Sequence, residues 1–101
     1  MKDYRKTEQY KTLREALFSA LEQRGTLSPV TGDKVEEYMD FWALRQTLRD
    51  DVKARGLTVT DERGRVMENR SVSLGVQVAR QMMDILRLLD LVKAAEEADE
   101  L

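Results

Sequence analysis

The sequence predicts a mainly α fold: three long helices, with a short β-hairpin between the second and third. Apolar residues recur at three- and four-residue spacing in three separate stretches, which is the period of an amphipathic helix. Between the second and third stretches, apolar residues instead recur at every second position, which is typical of strands. Because the chain has 101 residues, we expect one domain. This is a helical domain over 1–92 with the hairpin at 57–68, followed by an acidic C-terminal tail at 93–101.

The first helix is predicted from Asp3 to Arg24. Its apolar residues share one face, and lysine and arginine occupy the opposite face. Gly25 follows directly, and glycine at this position tolerates the left-handed conformation that ends many helices. The residues of the apolar face are Tyr10, Leu13, Leu17, Ala20 and Leu21.

The second helix is predicted over 34–55, after a linker at 26–32 that contains Pro29. Asp33 is the expected N-cap because Glu36 follows three residues later, which is the spacing of a capping box. The apolar stripe of this helix consists of Val35, Tyr38, Phe41, Trp42, Leu48 and Val52.

The hairpin follows Gly56, which is the expected end of the second helix. Two short alternating runs, 57–60 and 65–68, flank the residues Asp61 to Gly64. We expect Gly64 to adopt a positive φ after a type I turn. A lone hairpin is marginal in water, so it must pack on helices or pair with another chain.

The third helix is predicted from an N-cap at Ser71 to about Val92. Its main stripe has heptad-like spacing and consists of Val78, Met82, Ile85, Leu89 and Val92. A second stripe of Ala79, Met83 and Leu86 lies beside it. A helix that is apolar over so wide an arc requires more than one neighbour. We therefore predict a homo-oligomer with Met82, Ile85 and Leu89 at the interface.

The composition argues against catalysis. The chain contains no cysteine and no histidine, which removes thiolate metal sites and the commonest general base. Glu36 and Asp40 share a helix face and could in principle hold Mg²⁺, although a solvated helix face is the simpler interpretation. We therefore predict a protein that is not an enzyme, with no metal and no cofactor.

The N-terminus lacks an apolar signal segment, and no apolar run approaches the ~20 residues that span a bilayer. We therefore expect a cytoplasmic protein with no membrane partner.

A basic face on the first helix is the best candidate for phosphate contact. Residues 1–24 contain six Lys/Arg and four Asp/Glu, and cations on one face can displace counterions from DNA. The DNA-binding candidates are Arg5, Lys6, Lys11 and Arg14. The alternative is a solubilising face with pairs such as Lys11–Glu15. Tyr38, Phe41 and Trp42 could stack on bases, but their helical spacing favours a role in the core.

Five segments of the chain carry a recognisable pattern: 35–42, 52–59, Asp61 to Gly64, Glu68-Asn69 and 85–91. Over about residues 8–92 this pattern resembles that of phage or prophage terminase small subunits. The family pattern is a helix ending at glycine, a short hairpin, and a further helix that begins after asparagine and ends in leucines. Two positions depart from the pattern. Arg70 stands where the family often has proline. Asp90 stands where it has glycine, and we expect the third helix to continue past it.

The resemblance implies a non-catalytic, oligomeric subunit, with a ring as one possible form, that recognises viral double-stranded DNA in the bacterial host. It also implies a terminase large subunit as partner, which carries the ATPase and nuclease activities. The alternative from the residues themselves is a small helical adaptor or regulator that binds protein without DNA contact. A transcriptional regulator is less favoured, because no short helix-turn-helix with a basic recognition helix is evident.

Overall fold

The structure is a computed structural model and describes residues 2–99. Within that range the chain forms four α-helices and one two-stranded sheet. In chain order the elements are a 3₁₀ helix at Tyr4–Lys6, α1 at Glu8–Gln23, α2 at Pro29–Arg55, β1 at Thr58–Thr60, β2 at Val66–Glu68, α3 at Arg70–Leu89 and α4 at Val92–Asp99. The mainly helical class and the place of the hairpin are confirmed. The number of helices is corrected from three to four.

The first predicted helix is divided by a cap at Thr7. The Thr7 hydroxyl accepts a hydrogen bond from the Tyr10 backbone N–H at 3.2 Å, so α1 begins one residue later. The preceding 3₁₀ turn is held against α2, because the Tyr4 hydroxyl donates to the Asp50 carboxylate.

The predicted start of the second helix at Lys34 is wrong, since α2 already begins at Pro29. Ser28 and Thr31 form a reciprocal capping box, and proline is well suited to the first helical position because its N–H is not needed there. The predicted cap Asp33 therefore lies inside the helix. The predicted end is confirmed, with Gly56 at φ 87°.

The third helix differs from the prediction at both ends. Asn69, rather than Ser71, is the N-cap, and its side chain accepts from the Ser71 backbone N–H at 3.0 Å. The helix stops at Leu89 instead of continuing to Val92, because Asp90 adopts the left-handed conformation at φ 55°. Aspartate enters this region more readily than most residues, so it replaces the expected glycine.

The predicted tail is a short helix over most of its length. α4 packs on α1 and buries Ala95, and Leu91 just before it is also buried. Glu100 and Leu101 of the predicted tail lie outside the described residues.

The molecule is elongated, with extents of 57 × 25 × 23 Å. α3 runs back along α2, while α1 and α4 cover one end of this pair. Burial is concentrated at that end, and it leaves the other half of the α2–α3 pair with little core. The buried apolar residues are Leu13, Leu17, Leu21, Val35, Tyr38, Met39, Trp42, Val78, Met82, Ile85, Leu86, Leu91 and Ala95.

The hairpin forms as predicted. Its strands are antiparallel, with Val59 opposite Met67. Gly64 has φ 79°, and its N–H donates to the Asp61 carbonyl oxygen at 3.0 Å, which closes the turn. The strands are largely exposed, so the hairpin extends from the end of the helix pair.

Candidate binding groove between the long helices

Three of the four predicted DNA-binding cations have acidic partners. The side-chain distances are 3.1 Å for Arg5–Asp40, 3.6 Å for Lys11–Glu8 and 2.6 Å for Arg14–Glu36. Lys11 therefore pairs with Glu8 and not with Glu15. Lys6 makes no ion pair within the described residues.

The Arg14 side chain joins α1 to α2. Besides its contact with Glu36, its guanidinium lies 4.7 Å from the centre of the Phe18 ring, which is a cation–π arrangement. The Arg5 and Lys11 pairs are more exposed. Exposed ion pairs typically contribute about 0–1 kcal/mol, so a phosphate could replace the acidic partners of Arg5 and Lys11 at little cost.

The two carboxylates that were considered for Mg²⁺ face the cations of the N-terminal segment. Glu36 accepts from Arg14 and Asp40 from Arg5. Across residues 2–99, no group of three or more potential ligand side chains is arranged to hold a metal ion.

The aromatic residues of α2 belong to the core, as their spacing indicated. Tyr38 and Trp42 are buried, and Phe41 is half-buried. The Trp42 ring centre lies 6.2 Å from that of Tyr4 and 6.0 Å from that of Tyr10. Burial, with a smaller contribution from Asp99, raises the pKa of Tyr38 to about 12. A base has no access to the buried rings of Tyr38 and Trp42.

The residues proposed for the oligomer interface lie mainly in the chain's own core. Met82 and Ile85 are each 6% exposed, and Leu89 is half-buried. The exposed leucines of α3 are on its outer face, where Leu88 is 70% exposed and Leu74 is 37% exposed. Any second chain that contacts α3 on this face would meet these two leucines first.

Two residues of the second stripe of α3, Ala79 and Met83, line an open groove beside α2, whereas Leu86 is buried in the core. The groove has a volume of about 810 Å³. Its apolar surface comes from both helices and the start of the hairpin, and consists of Leu48, Val52, Leu57, Val72, Val76, Ala79 and Met83. Val76 is 53% exposed. The sequence predicted that the third helix needs more than one neighbour, and this groove is a part of its apolar surface that the chain leaves uncovered.

Cations dominate the rim of this groove. α2 contributes Arg45, Arg49 and Lys53, and α3 contributes Arg80 and Arg87, whereas Asp84 is the one acidic residue in the lining. None of the five cations takes part in an ion pair with another residue of the described range. Sequence reasoning did not single them out, although Arg45, Arg49 and Lys53 recur every four residues, which places them on one helix face.

A polar network closes the hairpin end of the groove. The Arg55 guanidinium donates twice to the Asp51 carboxylate, each time at 2.7 Å, and once to the Asn69 side-chain oxygen at 3.2 Å. The Ser71 hydroxyl donates to Asp51 at 2.6 Å. Hydrogen bonds from Arg55 and Ser71 lower the pKa of Asp51 well below its usual value.

A smaller cavity of about 270 Å³ adjoins the groove. Arg45, Arg49 and Met83 line both spaces, and α4 contributes Glu96 and Asp99 to the smaller one. The acidic side chains of α4 therefore lie near one end of the basic rim.

The described residues include no helix that is both long and apolar enough to cross a membrane. Fold and surface together define a small helical protein with a basic-rimmed, apolar groove between α2 and α3. Residues 11–98 match the family model described as phage terminase, small subunit. The chain belongs to this family, which confirms the resemblance seen in the sequence. No curated protein and no solved structure matches the chain.

Proposed function

We propose that this protein is a non-catalytic subunit of a phage genome-packaging machine that recognises viral double-stranded DNA and delivers it to the terminase large subunit. The family match over residues 11–98 supports this proposal most strongly. The composition agrees with it, since a chain without histidine or cysteine lacks the commonest catalytic side chains.

The proposed DNA contact is the exposed basic surface of the N-terminal segment, formed by Arg5, Lys6 and Lys11. Lys6 is exposed, and the weak surface pairs of Arg5 and Lys11 can exchange for phosphate oxygens. Arg14 also belongs to the predicted set, but its contacts with Glu36 and Phe18 give it a structural task.

We further propose that the protein acts as a homo-oligomer. Three cations per chain give weak binding, whereas several copies around one duplex multiply the contacts through effective concentration. The outer face of α3, with Leu74 and Leu88, is the best candidate surface on that helix because both leucines are exposed.

A protein-binding adaptor without DNA contact is the second candidate. The groove favours it, because an apolar surface of this kind is more typical of protein recognition than of DNA contact. The two candidate functions differ in whether the N-terminal cations contact DNA.

A salt titration of DNA binding tests the proposal. The anisotropy of a labelled duplex is measured with wild type, with Arg5→Gln/Lys6→Gln/Lys11→Gln (the N-terminal triple variant) and with Arg49→Gln/Lys53→Gln/Arg80→Gln (the groove triple variant). Both variants remove the same charge. The logarithm of the binding constant falls linearly with the logarithm of the salt concentration, and removing one phosphate contact reduces the steepness of this line by about one unit. We therefore expect the steepness to decrease by about three per chain for the N-terminal triple variant and to stay unchanged for the groove triple variant. Absence of wild-type binding at low salt would favour the adaptor.

A further inference from the structure

We infer that the groove between α2 and α3 binds a helix from a partner protein, and that this helix has an apolar stripe flanked by acidic residues. The inference concerns a different surface from the proposed DNA contact and does not depend on it.

The shape of the groove suits a helix. Its walls are two long helices, and the α3 wall extends over residues 71–87. At 1.5 Å per residue this wall is about 24 Å long, enough for a partner helix of about four turns. Amphipathic helices commonly bind such grooves through apolar residues at three- and four-residue spacing.

Gly75 provides room for a close approach. It lies within α3 and lines the groove, although glycine in a helix interior is unfavourable relative to alanine. A Cβ atom added at Gly75 would have no neighbour within 4 Å, so packing within this chain does not require glycine there. The absence of a side chain deepens the groove where a second backbone would lie.

The charges determine the chemistry of the occupant. Five cations and one carboxylate surround the apolar surface, so a helix with acidic residues along both edges would pair with the rim while its apolar stripe covers Val76 and Met83. Duplex DNA offers phosphates to the same cations. It offers nothing comparable to cover the apolar residues, and this favours a protein.

A second copy of this chain is a poorer match. Two-fold pairing of the groove with itself would bring the two basic rims together, where like charges repel. In the chain's own acidic helix, α4, Glu96 and Asp99 line the adjoining smaller cavity together with Arg45 and Arg49, without forming an ion pair with either arginine. A partner helix with its own acidic residues therefore fits the basic rim better than a second copy of the groove does.

A designed peptide tests the inference. The probe is a fluorescein-labelled amphipathic helix with leucine along one stripe and glutamate on both flanks, and the control peptide has lysine in place of every glutamate. Gly75→Leu fills the groove with a good helix former, and Thr12→Leu places the same side chain on the exposed face of α1, away from the groove and from the outer face of α3. Fluorescence anisotropy reports peptide binding, circular dichroism reports thermal unfolding, and native mass spectrometry reports assembly.

We expect wild type and Thr12→Leu to bind the acidic peptide and not the basic one. Gly75→Leu should weaken binding by about tenfold or more without a lower melting temperature, and the groove triple variant should also bind weakly.

Three results would overturn the inference. The first is equal peptide binding by Gly75→Leu and wild type. The second is displacement of the peptide by duplex DNA together with loss of DNA binding in the groove triple variant, which would make the groove a DNA surface. The third is loss of oligomer in Gly75→Leu with no peptide binding by wild type, which would assign the groove to a second copy.

Failure of the N-terminal triple variant to alter DNA binding would contradict the proposed DNA contact and leave the peptide result standing.

Discussion

The side-chain amide of Asn69 donates a hydrogen bond to the carbonyl oxygen of Gly56 at 2.9 Å. It thereby joins the residue that precedes α3 to the residue that ends α2. Asn69 is 0% exposed, and its backbone N–H also donates to the Leu57 carbonyl at 2.8 Å. The base of the exposed hairpin is therefore fixed by a buried amide and not by an apolar core.

Replacement of Asn69 should destabilise the protein markedly. Asn69→Ala removes the helix cap, which typically costs about 0.5–2 kcal/mol, and leaves the Gly56 carbonyl without its side-chain donor, which typically costs about 1–3 kcal/mol. Urea unfolding followed by Trp42 fluorescence measures the loss. Asn69→Asp keeps a capping oxygen but lacks the N–H donor, and we expect it to lie between alanine and wild type. Wild-type stability in Asn69→Ala would show that the network does not hold the hairpin.

Asp51 should make stability sensitive to acid. Hydrogen bonds from Arg55 and Ser71 lower its folded-state pKa below the usual 3.8, so its contribution is present above the unfolded-state pKa and is lost as the pH falls below it. Asp51→Asn should therefore lower the melting temperature near neutral pH.

The difference between Asp51→Asn and wild type should shrink as the pH falls below about 4, because Asp51 of the unfolded chain then binds a proton while the folded carboxylate, with its lowered pKa, still resists it. Melting curves at several pH values measure this. A difference that stays constant down to strongly acidic pH would mean that the charge of Asp51 does not stabilise the fold.

Gly64→Val should weaken the hairpin. Gly64 lies at φ 79°, a region that β-branched residues adopt only with strain, so we expect a loss of about 1 kcal/mol or more. No atom lies within 4 Å of an added Cβ, so the effect should come from the backbone alone. Glu62→Val, in the same turn but without a positive φ, is the matched control for urea unfolding. Equal stabilities of the two variants would contradict the backbone explanation.

Ile85→Asp and Leu88→Asp should act on different properties. Ile85 is buried and Leu88 exposed on the same helix, so an unpaired charge at Ile85 should cost several kcal/mol and lower the melting temperature. Leu88→Asp should leave the stability of the single chain nearly unchanged and reduce the mass of any assembly. Native mass spectrometry and thermal unfolding separate the effects. An assembly that survives Leu88→Asp would exclude the outer face of α3 as its interface.

Local patterns predicted the fold well where a single signal was sufficient. Gly56 and Gly64 marked the helix end and the turn because glycine tolerates a positive φ at little cost. Helix starts were harder, since Ser28 and Asp33 both resemble caps and Pro29 can either interrupt a helix or occupy its first position. Asp90 gave no clear stop signal, because aspartate adopts the left-handed conformation less often than glycine does.

The candidate site was less predictable because it depends on the association of two distant helices. Arg14 appeared in the sequence as part of a free basic face, yet the fold pairs it with Glu36. Arg49 and Arg80 are far apart in the chain, and only the packing of α3 on α2 brings them to one groove. The apolar stripe of α3 suggested an interface at Met82, but periodicity cannot distinguish a core within one chain from a core between chains.

The uneven distribution of the core has a consequence for local opening. Buried side chains of the long helices cluster at 35–42 and 78–86, whereas the opposite ends carry the hairpin and the part of the groove that lies farthest from this core. Amide protons in the first two segments should exchange slowly, and those near 48–55 and 70–76 should exchange through lower-energy openings. A ligand that bridges the two walls of the groove should slow amide exchange mainly in these latter segments. Its binding would therefore raise the local stability of the half of the molecule that has few buried side chains of its own.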